Sequence, residues 1–116
     1  MKEEKAAKDE REKPEKDRKV HITVLYTSTA EDRNFVAEPE QTLQQVVREA
    51  YNRLGETPRA GDQIFCHAAP RHDLRPYLST TLRAMNEKGV CVRDNGHGKL
   101  EFEFDIDAEP GGAGGR

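Results

Sequence analysis

Two stretches of the chain alternate apolar and polar residues with period two, and one long stretch between them repeats near 3.6. Val20-His21-Ile22-Thr23-Val24-Leu25-Tyr26 reads as a strand with Val20, Ile22, Val24 and Tyr26 on one face. The polar run from Thr27 to Arg33 reads as a turn, and Asn34 to Glu38 as a second strand with Phe35 and Ala37 inward, completing an N-terminal hairpin. Pro39-Glu40-Gln41-Thr42 then ends the strand and opens a helix. Thr42 suits the N-cap, and Gln45 three residues later completes a capping box. Leu43, Val46, Val47, Ala50, Tyr51 and Leu54 form one apolar stripe, and Gly55 stands where a helix C-cap glycine belongs.

The second half is less regular. Gln63 to His67 is a short strand, while Pro70 and Pro76 forbid a regular element over residues 68–78. Ser79 or Thr80 is expected to cap a shorter helix that carries Leu82 and Met85 inward and stops at Gly89. Val90-Cys91-Val92 reads as a strand, and Asp94-Asn95-Gly96 is a hairpin turn signal. In the last strand Leu100, Phe102, Phe104 and Ile106 alternate with Glu101, Glu103, Asp105 and Asp107. This order predicts an α+β fold, a sheet with one long and one short helix on one face.

Charge divides the chain into three. Residues 1–19 hold eight bases and seven acids with almost no apolar side chain, too little to offset the entropy of ordering. They are expected to be a disordered arm. Residues 20–107 are the domain, and residues 108–116 a flexible glycine-rich tail. Residues 20–112 hold ten bases against fifteen acids, a balance that argues against nucleic acid as partner, because phosphate binding needs a basic face. No apolar run approaches the ~20 residues that span a bilayer, and the N-terminus has no apolar signal core. The chain is therefore expected in the cytoplasm, away from membranes, with Cys66 and Cys91 reduced.

Candidate chemistry is sparse. Cys66, His67, His72, Cys91 and His97 match no standard zinc spacing, so no metal and no cofactor are expected. Cys66 and His67 do not make a nucleophile pair, since neighbours in a strand point to opposite faces. Glu101, Glu103, Asp105 and Asp107 would lie on the open side of a small sheet, where a catalytic carboxylate pair has no cleft. No catalytic residue is assigned, and the chain is read as a non-enzyme. The acid row is either a solvated strand face or a docking surface.

Strand, strand, helix and further strands ending in a Gly-Gly tail is similar to ubiquitin. Phe35-Val36-Ala37-Glu38-Pro39-Glu40-Gln41-Thr42-Leu43-Gln44-Gln45-Val46 resembles that family's passage from second strand into helix, with its Glu-Pro, Thr cap and apolar helix positions. The likeness covers about residues 20–112, with residues 68–99 longer and different. Closer still, the chain resembles bacterial ubiquitin-like proteins encoded beside their own activating enzyme, conjugating enzyme and metallopeptidase. The resemblance implies a β-grasp domain, monomeric when free, whose terminal glycine is adenylated and transferred to target proteins. Glycine suits such a tail because a narrow channel and a closely approached acyl carbon both exclude a Cβ. Gly111-Gly112 is the preferred conjugation terminus and Gly114-Gly115 the alternative; residues beyond the chosen pair imply a trimming peptidase. Pro110 departs from ubiquitin and alters the grip expected of an activating enzyme.

The resemblance also implies roles for other residues. Ubiquitin's apolar receptor patch is replaced here by acid, with Phe65 as its remnant, so Phe65, Glu101, Glu103 and Asp105 are the expected partner-binding set. Six of the eight lysines lie in the arm, so Lys2, Lys5, Lys8, Lys13, Lys16 and Lys19 are the expected acceptors if copies are joined into chains. Two other readings stay open: a sulfur carrier of the same fold, and an interaction module that is never conjugated.

Overall fold

The computed structural model describes residues 19–68, 71–96 and 98–108. Among them the strands are β1 (Val20–Tyr26), β2 (Glu31–Ala37), β3 (Gln63–Cys66), β4 (Val92–Asp94) and β5 (Leu100–Asp107), and the α-helices are α1 (Leu43–Leu54) and α2 (Leu82–Glu87). A 3-10 turn, Arg75–Tyr77, precedes α2. The fold is α+β with a mixed sheet ordered β2-β1-β5-β3. The central pair, β1 and β5, is parallel, with Val20 opposite Leu100 and Tyr26 opposite Ile106. No helix among the described residues is long and apolar enough to cross a membrane.

The two periodicities meet in one core. Val20, Ile22 and Val24 of β1 and Leu100, Phe102, Phe104 and Ile106 of β5 pack with the α1 stripe of Leu43, Val46, Val47, Ala50, Tyr51 and Leu54. Thr42 caps α1 through a complete capping box. Gly55 ends it at φ 72°, a left-handed conformation that suits a residue without Cβ. Arg53, in the last turn, lies 4.9 Å over the Phe35 ring and fastens the helix to β2.

The N-termini of the two helices serve each other. The N–H groups of Leu43 and Gln44 donate to the carbonyls of Thr80 and Leu78, while those of Leu82 and Arg83 donate to Gln41 and Pro39. Donors that a helix start leaves without partners are thus satisfied across the junction. This exchange makes Thr81, rather than Ser79 or Thr80, the cap of α2, its hydroxyl accepting from the Ala84 N–H.

Three further boundaries differ from the sequence reading. β2 starts at Glu31 instead of Asn34, because the turn closes within Thr27 to Ala30, with Ala30 at φ 61°. β4 starts at Val92, because Cys91 at φ 64° cannot continue an extended strand. Pro76 does not exclude all helix; it sits in the first turn of the 3-10 segment, where a missing N–H costs nothing.

The largest correction concerns the cysteines. Cys66 and Cys91 form a disulfide, with Cα atoms 5.8 Å apart. One edge of β5 is shared: β3 pairs with its residues from Phe104 to Asp107, and β4 with those from Leu100 to Phe102. The disulfide joins the end of β3 to the residue before β4, at Glu103, the one position of that edge paired with neither strand. Cys91 Sγ lies 3.3 Å from the Glu103 carbonyl, which also accepts the His67 N–H at 3.0 Å. The expectation of reduced thiols rested on compartment, whereas this juxtaposition comes from sheet topology.

Candidate functional site

The outer face of β5 holds the acid row. Register sets Glu101, Glu103 and Asp105 beside His21, Thr23 and Leu25 of β1, and Phe65 of β3 beside Asp105. The row is not uniformly solvated. Asp105 is buried, its side chain only 6% exposed, and its two oxygens are engaged by His67 and Arg71. His67 Nδ1 lies 2.7 Å from Oδ1, and Arg71 Nη2 donates to Oδ2 at 2.9 Å. Arg71 also reaches Asp107 at 3.4 Å and sits 4.5 Å over the Phe65 ring.

The loop after β3 therefore covers half of the expected partner-binding set. Residues 72–74 run back along β3: the Cys66 N–H donates to the His72 carbonyl and the Leu74 N–H to the Ile64 carbonyl. Asp73 pairs with Phe65 in an isolated bridge, and its carboxylate holds Arg75 in a forked contact. The Arg75 hydrogen bonds hold the Asp73 carboxyl below the usual range. Phe65 and Asp105 are thus engaged within the molecule, while Glu101 accepts from Asn95 Nδ2 at 3.0 Å. Glu103 differs. Among the described residues its carboxylate makes no ion pair, and it borders two clefts, of about 350 and 220 Å³.

The larger cleft is lined by the disulfide, His72, Arg93 and Glu103. No group of three His, Cys, Asp or Glu among the described residues is placed to hold a metal, and the sulfurs of Cys66 and Cys91 are bonded to each other. A thiolate nucleophile or ligand is therefore not present in this state.

The end of β5 is fixed from both sides. Thr27 donates through its N–H to the Ile106 carbonyl at 3.0 Å and through its hydroxyl to Asp107 Oδ1 at 2.8 Å, the oxygen that Arg71 also reaches. The expected conjugation residues Gly111, Gly112, Gly114 and Gly115 lie outside the described residues, as do Lys2, Lys5, Lys8, Lys13 and Lys16. Lys19 is described and pairs with Glu38. His67 and Arg71 were missed as partners of the acid row because His67 was read as the last residue of a strand that in fact ends at Cys66, and Arg71 falls in the proline-bounded stretch that has no periodicity.

A second polar cluster lies under α1. The Tyr51 hydroxyl donates to Asp62 Oδ2 at 2.5 Å, and the same oxygen accepts the Arg59 N–H at 3.1 Å. Burial pushes the Tyr51 phenol well up, and its hydrogen bond to Asp62 and the Asp62 charge add to this. Tyr26 is raised too, first by burial and then by Glu56 and Asp62. No family model, no curated protein and no solved structure matches the chain.

Proposed function

We propose that this chain is a ubiquitin-like protein modifier of the β-grasp fold, joined to target proteins through its C-terminal glycines. The observation that carries this reading is how the chain leaves the sheet. β5 is the central strand, parallel to β1, and its last residue, Asp107, is held by Thr27 and Arg71. Gly112 follows five residues later, a reach of about 17 Å when extended. A glycine pair at that distance from a rigid exit suits delivery into a narrow channel of an activating enzyme. The capped helix after an N-terminal hairpin and the sheet order β2-β1-β5-β3 support the β-grasp assignment.

In this reading the modifier supplies no catalytic group. A metallopeptidase removes the residues after Gly112, and an activating enzyme converts the exposed carboxylate to an acyl-adenylate with release of pyrophosphate. An enzyme nucleophile then displaces AMP, and a target amine displaces that nucleophile. Glu103 and Glu101 remain the acids for docking a basic enzyme surface, whereas Asp105 serves the fold. Activation by ATP belongs to the cytoplasm, where the Cys66–Cys91 pair meets a reducing thiol pool.

The test is ATP–pyrophosphate exchange by the activating enzyme of the native host, using chain ending at Gly112. Exchange should depend on that chain and fall at least tenfold for Gly112→Ala, with the thermal melt unchanged. Equal exchange for Gly112→Ala and for chain ending at Asp107 would refute the reading.

A further inference from the structure

Away from the acid face, α1 and the connector between α1 and β3 enclose a groove of about 280 Å³. Its apolar floor is the outer edge of the core residues Val47, Tyr51 and Ile64 together with Leu78, and Arg48, Arg59 and Asp62 also line it. The volume falls just below the ~300–1,000 Å³ of small-molecule pockets, and the groove is open. That size suits one or two side chains of a bound peptide. The connector forming one wall is tied to α1, because Asp62 accepts from both the Tyr51 hydroxyl and the Arg59 N–H. Arg59 is therefore presented by a backbone that is already ordered, which lowers the entropic cost of using it.

The groove's lining holds one carboxylate, Asp62, which is buried and engaged by the Tyr51 hydroxyl and the Arg59 N–H, so the guanidinium groups of Arg48 and Arg59 outnumber it. Arg53, Arg71, Arg75 and Arg83 each hold a carboxylate of this domain. Arg48 and Arg59 hold none among the described residues, although the domain has more acids than bases to offer. Arg75 also lines the groove, but Asp73 neutralises it. A planar guanidinium binds a carboxylate through two parallel N–H bonds and lies flat on apolar or aromatic surface. We infer that the groove between α1 and the 58–62 connector is a docking site for an acidic peptide segment of a partner protein. Its apolar side chain enters between Val47, Tyr51, Ile64 and Leu78, and its flanking carboxylates meet Arg48 and Arg59. The site lies on a different part of the molecule from the acid row and does not depend on the tail's chemistry.

The test uses the full chain, labelled with nitrogen-15 and titrated with the synthetic peptide acetyl-Glu-Asp-Leu-Phe-Asp-Glu-amide. Saturable shifts are expected at the amides of Val47, Arg48, Tyr51 and Ala60, with the outer face of β5 unmoved. The double variant R48E/R59E should lose at least tenfold in affinity, R48Q/R59Q should lose less, and the melts of both should stay close to that of the parent. Replacing the four acids of the peptide by their amides should abolish the shifts. No saturable shift, shifts centred elsewhere, or equal binding by R48E/R59E would each overturn the inference. If R48E/R59E fails to fold, R48Q/R59Q decides: unchanged affinity overturns the inference, and weakened binding upholds it.

Discussion

Reducing the Cys66–Cys91 disulfide should destabilise the domain by a calculable amount. The bond closes a loop of 25 residues. Chain-entropy reasoning gives such a closure about 3.5 kcal/mol at 25 °C, through the freedom it removes from the unfolded chain. For a domain of this size each kcal/mol moves the melting temperature by roughly 4–8 °C, so reduction should lower it by about 14–28 °C. A second effect isolates the geometry at residue 91. Cys91 sits at φ 64°, where a side chain costs roughly 1–2 kcal/mol. In reductant, Cys91→Gly should therefore be the more stable variant compared with Cys91→Ala, by about 1 kcal/mol. This reverses the usual order, in which glycine is the poorer choice in regular structure. The assay is circular dichroism against temperature with and without reductant, the thiol state verified by alkylation and intact mass. Superimposable melts for the bonded and fully alkylated forms would refute the staple argument. A less stable Cys91→Gly would refute the left-handed backbone at that position.

Four further outcomes follow from particular contacts. Tyr51→Phe leaves the buried Asp62 one donor short and should cost about 1–3 kcal/mol in urea unfolding. Because the folded state raises the Tyr51 phenol above its ordinary value, its contribution is fully present below pH ~10 and is lost as pH rises beyond that. Alkaline unfolding should therefore accompany tyrosinate absorbance in the parent, and Tyr51→Phe should flatten that dependence. On the acid row, Glu103→Gln should stay within about 0.5 kcal/mol of the parent, whereas Asp105→Ala should lose about 1–2 kcal/mol by removing the buried carboxylate that holds the half-exposed His67 and Arg71 over the strand. Equal stabilities in thermal melts would contradict the division between the two acids. Removing residues 1–19 should abolish self-linked multimers while leaving ATP–pyrophosphate exchange intact; multimers undiminished by the truncation, or linked only through Lys88 or Lys99, would exclude the arm as acceptor.

The elements built from strong periodicity were legible in the sequence. β1 and β5 alternate over whole strands, and α1 carries its stripe, its capping box and its glycine stop within fourteen residues. Where structure is imposed from a distance, the pattern is silent. The start of β2, Glu31-Asp32-Arg33, is polar on both faces and becomes a strand only because β1 supplies a ladder. β4 is short and begins after a residue held at positive φ beside β5. Residues 71–74 have no strand-like composition, yet they line the edge of β3 and bring Arg71 onto Phe65 and Asp105. The same holds for the disulfide, which depends on β3 and β4 sharing one edge of β5. The acid row was read correctly as one face, but its division into a buried Asp105 and a Glu103 without an ion pair among the described residues needed the loop.

A covalent bond between the C-terminal glycines and other proteins, as proposed, would be visible by mass spectrometry. Lys99 is the last tryptic site before the tail, so digestion of a conjugate leaves residues 100–112 attached to the acceptor. The chain, carrying an affinity tag at its N-terminus, is recovered from its native host under denaturing conditions, digested and sequenced by mass spectrometry. Branched peptides in which Leu100 to Gly112 is joined through the Gly112 carboxyl to a lysine of another protein are the predicted result. Recovery of the C-terminal segment only as the linear peptide Leu100 to Arg116, with no branched species, would contradict the account.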